Sequence, residues 1–307
     1  AYTFDQFLET GDSDWPLLLP MVKAVVRAMD AVQMYLETER SIPVDTFTVA
    51  GASKRGWATW LTAAVDSRVT ALAPMVIDVL NMSTQLDHQK SVWGAYSEQI
   101  HDYTERDLPR RLNTDAGQVL RNIVDPYHYR SSLSQPKLII LSTNDRYWPL
   151  DALNLYWPDL VGPKYILYLP NNLHKIKDYR RMIAGLNALH QHAAHDRPLP
   201  ALEWRFEETR GRLVLSITSD RRPVRVQAWT ARAPTRDFRE SKWRSRRIKR
   251  STDGQYHYRL RLPQNGYAAI FGEVNFGRGR KRFSLSTNVR IVDANGTKPV
   301  PRITAPE

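Results

Sequence analysis

The sequence predicts an α/β protein: a mostly parallel sheet flanked by helices, followed by a small antiparallel β-sandwich of immunoglobulin-like type. Three observations predict it. Up to about residue 196, short apolar β-rich runs alternate with segments of helical periodicity, as in a parallel sheet whose crossovers are helices. The segment Asp196-Arg197-Pro198-Leu199-Pro200 then reads as a linker. Beyond it the runs are short, alternating and separated by turn residues, the pattern of antiparallel layers. The units expected are therefore residues 1–196 and 201–307, with helices and loops inserted as a cap at about 81–130.

Taken in order, Leu18, Met21, Val22, Val25, Met29, Val32 and Leu36 recur at helical spacing, with Asp14 as a cap and Pro16 in the first turn. Val44 to Ala50 is β-rich and runs into Gly51-Ala52-Ser53-Lys54-Arg55-Gly56. Trp57 to Val65 is apolar and Ala-rich, so the unit reads strand, tight turn, helix. Further strands are expected at Val69–Leu80, Lys137–Ser142 and Lys164–Leu169, and helices at Leu150–Leu160 and Tyr179–His195. In the second unit the strands are Leu213–Ile217, Val224–Trp229, Tyr256–Leu262, Tyr267–Phe271 and Phe283–Ser286.

The 307 residues are 42% apolar and 25% charged, which excludes wholesale disorder. With no cysteine, disulfides, thiolate metal sites and a cysteine nucleophile are excluded. No apolar run approaches the roughly 20 residues that span a bilayer. The chain opens on Ala1 without a basic-then-apolar signal, so a mature or truncated product is expected. The net charge of +12 is divided unevenly, −2 over residues 1–200 and +14 over residues 201–307.

The hexapeptide around Ser53 carries the most chemistry. A serine hydroxyl attacks a carbonyl only when a base removes its proton, and a sharp strand-to-helix turn flanked by small residues makes it accessible. Gly51, Ala52 and Gly56 supply the small residues. In the usual turn the second glycine follows the serine by two positions, and here it follows by three; a helix-capping serine is the competing reading. After the Lys137–Ser142 strand comes Thr143-Asn144-Asp145, and after the Lys164–Leu169 strand comes Pro170-Asn171-Asn172-Leu173-His174. Asp145 and His174 thus fall on the carboxyl edge of a parallel sheet, where open α/β sites lie. The order Ser, Asp, His is that of the α/β-hydrolases. Asp145 as a turn former, His174 as a solvated loop histidine and Asp151 as a rival acid remain open.

At these residues the sequence resembles the PhoPQ-activated pathogenicity-related protein family. WPLLLPMVKAVVRAMDAVQ, GASKRGWATWLTAAVDSRV, APMVIDVLNM, TNDRYWPLDA and LPNNLH carry the resemblance, which is specific to about residue 180 and looser beyond. It implies an α/β-hydrolase fold, with Ser53 as nucleophile, Asp145 as acid and His174 as base, and a periplasmic or secreted destination. Members are largely exported bacterial proteins, some linked to virulence and envelope stress. The cation after the serine, Lys54, also resembles the Gly-x-Ser-Arg-x-Gly turn of glucuronoyl esterases, where it helps stabilise the oxyanion. Only about 43 residues precede the serine-bearing strand, so the strands that normally come before it, and one oxyanion donor with them, are expected to be missing. A chain truncated in this way is expected to fold poorly or to be inactive unless the missing part is supplied.

Trp57, Trp60, Trp93, Tyr96, Tyr147 and Trp148 crowd the presumed mouth. Trp57 and Trp148 are candidates for substrate contact, against a plainer reading as core and cap packing. His88 and His101, beside Asp87 and Asp102, lack the spacing of a metal site; neither metal nor cofactor is expected. Arg236 to Arg250 mixes cations with Phe238 and Trp243 but contains no recognition helix or nucleic-acid motif. An anionic envelope surface is the more natural partner, against a merely solvated basic face. The function expected is a serine hydrolase of carboxylic esters or amides, linked to the envelope or to virulence, with a small-molecule, glycan or lipid ester as substrate. The alternative is a non-catalytic envelope-binding or secreted signalling protein on a hydrolase scaffold.

Overall fold

The structure is a computed structural model and describes residues 1–297; the last ten residues of the expected second unit lie outside the described residues. Helices α1 (Tyr2–Thr10) and α2 (Leu18–Arg40) precede strand β1 (Phe47–Ala52). Helix α2 starts later than Asp14 suggests, with Leu17 in the capping position, and buries Leu18, Val22 and Met29. After β1 come α3 (Lys54–Val65) and β2 (Val69–Met75). The expected strand to Leu80 stops at Met75, where Val76 turns the chain with φ 47°.

Between β2 and strand β3 (Lys137–Ser142) lie α4 (Met82–Trp93), α5 (His101–Thr104), α6 (Leu108–Arg111) and α7 (Asp115–Val124), with 3₁₀ turns at Glu98–Ile100 and Pro126–Ser132. Strand β4 (Lys164–Leu169) follows, and α8 (Tyr179–Ala194) closes this half. Leu150–Leu160 forms two 3₁₀ turns, Ala152–Leu155 and Trp157–Asp159, rather than one helix; Pro158 in this stretch has no N–H for a continuing helix.

Strands β1 to β4 pair in chain order and parallel, with Gly51 beside Pro74, Met75 beside Ile140 and Ile140 beside Leu167. Every residue of β3 is buried, as a central parallel strand covered on both faces requires. Ile139 and Leu141 face the core that holds Trp57, Trp60 and Leu61 of α3. Leu138 and Ile140 face the core that holds Ala188 and Leu189 of α8.

The C-terminal residues form antiparallel strands: β5 (Leu202–Thr209), β6 (Arg212–Ser219), β7 (Arg225–Ala233), β8 (Arg244–Ile248), β9 (Tyr256–Arg261), β10 (Tyr267–Phe276), β11 (Phe283–Ser286), β12 (Arg290–Asp293) and β13 (Gly296–Thr297). β5, β6 and β9 make a three-stranded sheet. The other six strands extend the parallel sheet, because β11 joins the edge of β4 at Ser286 and Ile166. The Ser286 hydroxyl also accepts the Tyr168 N–H at 3.0 Å. The two layers share a core in which Leu213, Leu215 and Ile217 of β6 meet Val226, Ala228 and Val274. The expected sandwich is therefore present as two antiparallel layers, one of them continuous with the parallel sheet. No helix among the described residues is long and apolar enough to cross a membrane.

Candidate active site

Ser53 stands alone between β1 and α3, with φ 57° and ψ −130°. A non-glycine residue in this region costs on the order of 1–3 kcal/mol and persists only where the surroundings impose it. Here they do. A Cβ on Gly51 would lie 2.5 Å from the Arg55 carbonyl oxygen, and one on Gly56 would lie 2.7 Å from the Gly51 carbonyl oxygen. The two glycines let the strand end and the first helical turn cross at contact distance. The second glycine at three residues rather than two thus serves the same turn, since it is Gly56 that meets Gly51. The Ser53 N–H is anchored on the Met75 carbonyl at 2.9 Å, and its hydroxyl makes no capping bond to α3.

That hydroxyl instead lies 3.0 Å from His174 Nε2. His174 Nδ1 lies 2.9 Å from Asp145 Oδ2 and 3.1 Å from Oδ1. With its proton on Nδ1 the imidazole donates to Asp145 and turns the Nε2 lone pair to the Ser53 hydroxyl. Asp145 is 9% exposed, and its Oδ1 also accepts the Tyr147 N–H at 2.9 Å. The Tyr147 ring lies over the imidazole, centroids 4.1 Å apart. Burial raises the Tyr147 hydroxyl pKa, and Asp145 and Asp102 add to the shift.

Asp151, the rival acid, is directed elsewhere. It is bound by His88 Nε2 at 2.7 Å and by the Arg236 guanidinium at 2.8 Å. Burial opposes its ionisation, but those two partners outweigh it and hold the carboxyl below the usual range. His88 is therefore committed to Asp151, while His101 sits exposed on α5 beside Glu105.

The loops that carry Asp145 and His174 are held from the C-terminal side. Asn144 donates its side-chain amide to the carbonyl oxygens of Arg239 and Ser241, at 3.0 and 2.8 Å. Asn171 and Trp243 exchange hydrogen bonds. Asn172 Oδ1 accepts the N–H groups of Lys177 and Asp178, at 2.8 and 3.0 Å, which shapes the His174 loop. Arg239 lies over the Trp93 ring at 4.3 Å and pairs with Glu98, tying the same segment to the end of α4 and the turn after it. These contacts were not foreseen from sequence. The one trace of them is the asparagine that precedes each partner of Ser53, in Asn144-Asp145 and in Asn171-Asn172-Leu173-His174.

Ser53 and His174 open into an apolar pocket lined also by Lys54, Trp57 and Trp148. Lys54 is exposed at the mouth, and its N–H, first in α3, has no intrahelical acceptor. The Trp57 indole N–H is spent on the Val124 carbonyl at 2.6 Å, so it presents ring to the pocket. Of the other aromatics, Trp60 is wholly buried core and Trp93 lies under Arg239. Phe238 and Trp243 of the basic segment are each 2% exposed, hence closed to any stacking ligand. Arg244, Arg246, Arg247, Lys249 and Arg250 remain exposed, three of them on β8, which among the described residues pairs only with β7.

One more buried acid borders the site. Asp78, on the loop after β2, receives the Tyr156 hydroxyl at 2.6 Å. Burial raises its pKa to about 7; the Tyr156 bond works against this, and Asp145 and Asp151 add to it.

A parallel sheet in this order, with a strained serine at the strand–helix turn after β1 and Asp145 and His174 just past the ends of β3 and β4, fits an α/β-hydrolase fold. Among solved structures, partial likeness extends to acetyl xylan esterase 1 from Thermoanaerobacterium sp. JW/SL YS485 (15% identity, TM-score 0.38, 50% of this chain and 49% of that one). It extends likewise to an acetyl xylan esterase from Paenibacillus sp. R4 (17%, 0.40, 57% and 52%). The family model of the PhoPQ-activated pathogenicity-related proteins matches residues 1–239, and the chain belongs to that family. A curated relative, autocrine proliferation repressor protein A of Dictyostelium discoideum, is 32% identical over 300 residues. The match takes in 90% of this chain and spans 60% of the length of that relative.

Proposed function

We propose that this protein is a serine hydrolase that cleaves a carboxylic ester, or an amide, through an acyl-enzyme. The observation that carries the reading is the unbroken hydrogen-bond chain from Ser53 through His174 to Asp145. His174 takes the Ser53 proton as the hydroxyl oxygen attacks the carbonyl carbon. Asp145 holds the Nδ1–H tautomer and stabilises the imidazolium. The oxyanion is met by the Lys54 N–H, with the positive end of α3 behind it. His174 then protonates the leaving group, and a water deprotonated by His174 releases the acid.

The test is labelling of the folded chain by a fluorophosphonate, with the adduct located by peptide mass spectrometry. An adduct on Ser53 that disappears in His174→Ala supports the reading. A folded protein that leaves Ser53 unlabelled overturns it.

A second reading is a binding or signalling protein on the same scaffold, exported to the periplasm or beyond. It is favoured by the exposed cations of β8 and the residues after it, and by the relative named as an autocrine repressor. An anionic envelope surface is the partner that suits such charge, with affinity that falls as salt rises. Replacing Arg244, Arg246 and Arg247 by Ser should abolish sedimentation with anionic vesicles. Sedimentation that ignores both salt and these substitutions overturns this reading.

A further inference from the structure

We infer that the acyl group received at Ser53 is short, uncharged and aliphatic; this rests on the serine-hydrolase reading above. From Ser53 and His174 the pocket runs beneath the cap helices. Its inner wall is Ile77, Val79, Met82, Leu86, Leu108 and Leu112, each less than a tenth exposed. Five of these side chains carry no hydrogen-bonding group, and the Met82 thioether is a weak acceptor at most. Tyr103 and Tyr147 also line the pocket, but their hydroxyls carry no charge, so a charged acyl chain entering here gives up its water and meets no countercharge on this wall. The cation that borders the pocket, Lys54, is exposed to solvent.

Size sets the second limit. The cavity measures about 70 Å³. A cavity that takes benzene measures roughly 150 Å³ on the same kind of scale, so this one has room for about three carbon atoms. With the carbonyl carbon at Ser53 counted among the three or added to them, that is a propionyl or a butyryl group. A fatty-acyl chain or a sugar acid does not fit the enclosed part. The cap supplies the depth: α4 contributes Met82 and Leu86, α6 contributes Leu108, and Leu112 follows directly.

The experiment is hydrolysis of 4-nitrophenyl acetate, propionate, butyrate, hexanoate and octanoate by the whole chain, with the Ser53→Ala rate subtracted and fluorophosphonate labelling run alongside. Burial of each added methylene is worth about fourfold, so kcat/KM should rise about fifteenfold from acetate to butyrate and fall by at least as much at octanoate. Leu86→Phe, which fills the inner pocket, should move the optimum to acetate. Leu112→Ala, which deepens it, should move the optimum to hexanoate; circular dichroism confirms that both variants fold. A profile indifferent to chain length, or an optimum that neither variant moves, overturns the inference. So does labelling of Ser53 with no ester hydrolysed, which leaves the nucleophile standing. Neither labelling nor hydrolysis by a folded chain overturns both readings together.

Discussion

Asn171 and Trp243 hold each other by a reciprocal pair of hydrogen bonds: the Asn171 amide donates to the Trp243 carbonyl at 3.1 Å, and the Trp243 N–H donates to Asn171 Oδ1 at 2.8 Å. Three residues on from Asn171 is His174. Asn144 makes the corresponding attachment one residue before Asp145. The segment just before β8 therefore fixes both partners of Ser53.

Substituting Asn171 by Ala leaves the buried Trp243 backbone without its partner, at a cost of about 1–3 kcal/mol. The expected result is a folded chain of lowered Tm whose Ser53 labelling is slowed about tenfold, with Asn144→Ala behaving alike. Unchanged labelling in both variants would remove positioning from the role of the segment.

Asp145 and Asp151 should separate cleanly. Asp145→Asn keeps the fold, because the polar contacts of the loop survive, but reactivity at Ser53 should fall about 10⁴-fold as the imidazole loses its orienting carboxylate. Asp151→Ala leaves the buried His88 and the partly buried Arg236 without their acid. It should cost about 3–5 kcal/mol while the surviving folded protein still labels. Urea unfolding together with labelling distinguishes the two.

Gly51→Ala and Gly56→Ala should each abolish labelling and lower stability by about 1–3 kcal/mol. Each new methyl carbon meets a backbone oxygen, which cannot step aside as a flexible side chain could. A stable, reactive Gly56→Ala would show that the crossing tolerates separation.

Asp78 predicts a pH dependence of stability. Its pKa is raised to about 7 in the folded chain from an ordinary value of 3.8, so between these the folded state binds the extra proton. Stability is then fully present at acid pH and is lost as pH rises from about 4 through 7, by about 4 kcal/mol. Asp78→Asn should flatten that part of the curve. Urea titrations of both proteins across this range check it; parallel curves would contradict it.

The readings that came through from sequence rest on local rules. Lys137–Ser142 and Lys164–Leu169 are strands to the residue, because an uninterrupted apolar run bounded by turn residues has few other folds. Ser53, Asp145 and His174 stand within hydrogen-bonding reach of one another, while the roles their order suggests await the labelling experiment. What escaped is long-range. Nothing near Asp151 announces that Arg236, 85 residues on, will claim it. Nothing in the alternation of Phe283–Ser286 says that it will pair with β4 rather than stay within its own sandwich. The basic segment reads as surface because its composition is charged, yet Phe238, Trp243 and Arg236 turn inward, and contacts formed across such distances leave no local pattern.

The Asn171–Trp243 pair also has a consequence for synthesis. A chain emerging from the ribosome presents Ser53, Asp145 and His174 well before Trp243. At roughly 5–20 residues per second, that is an interval on the order of ten seconds. Through it the base loop lacks its anchor and the free edge of β4 awaits β11. On the serine-hydrolase reading, reactivity at Ser53 therefore has to await the Trp243 segment, and a product cut short before β8 carries Ser53, Asp145 and His174 without the anchor of their loops.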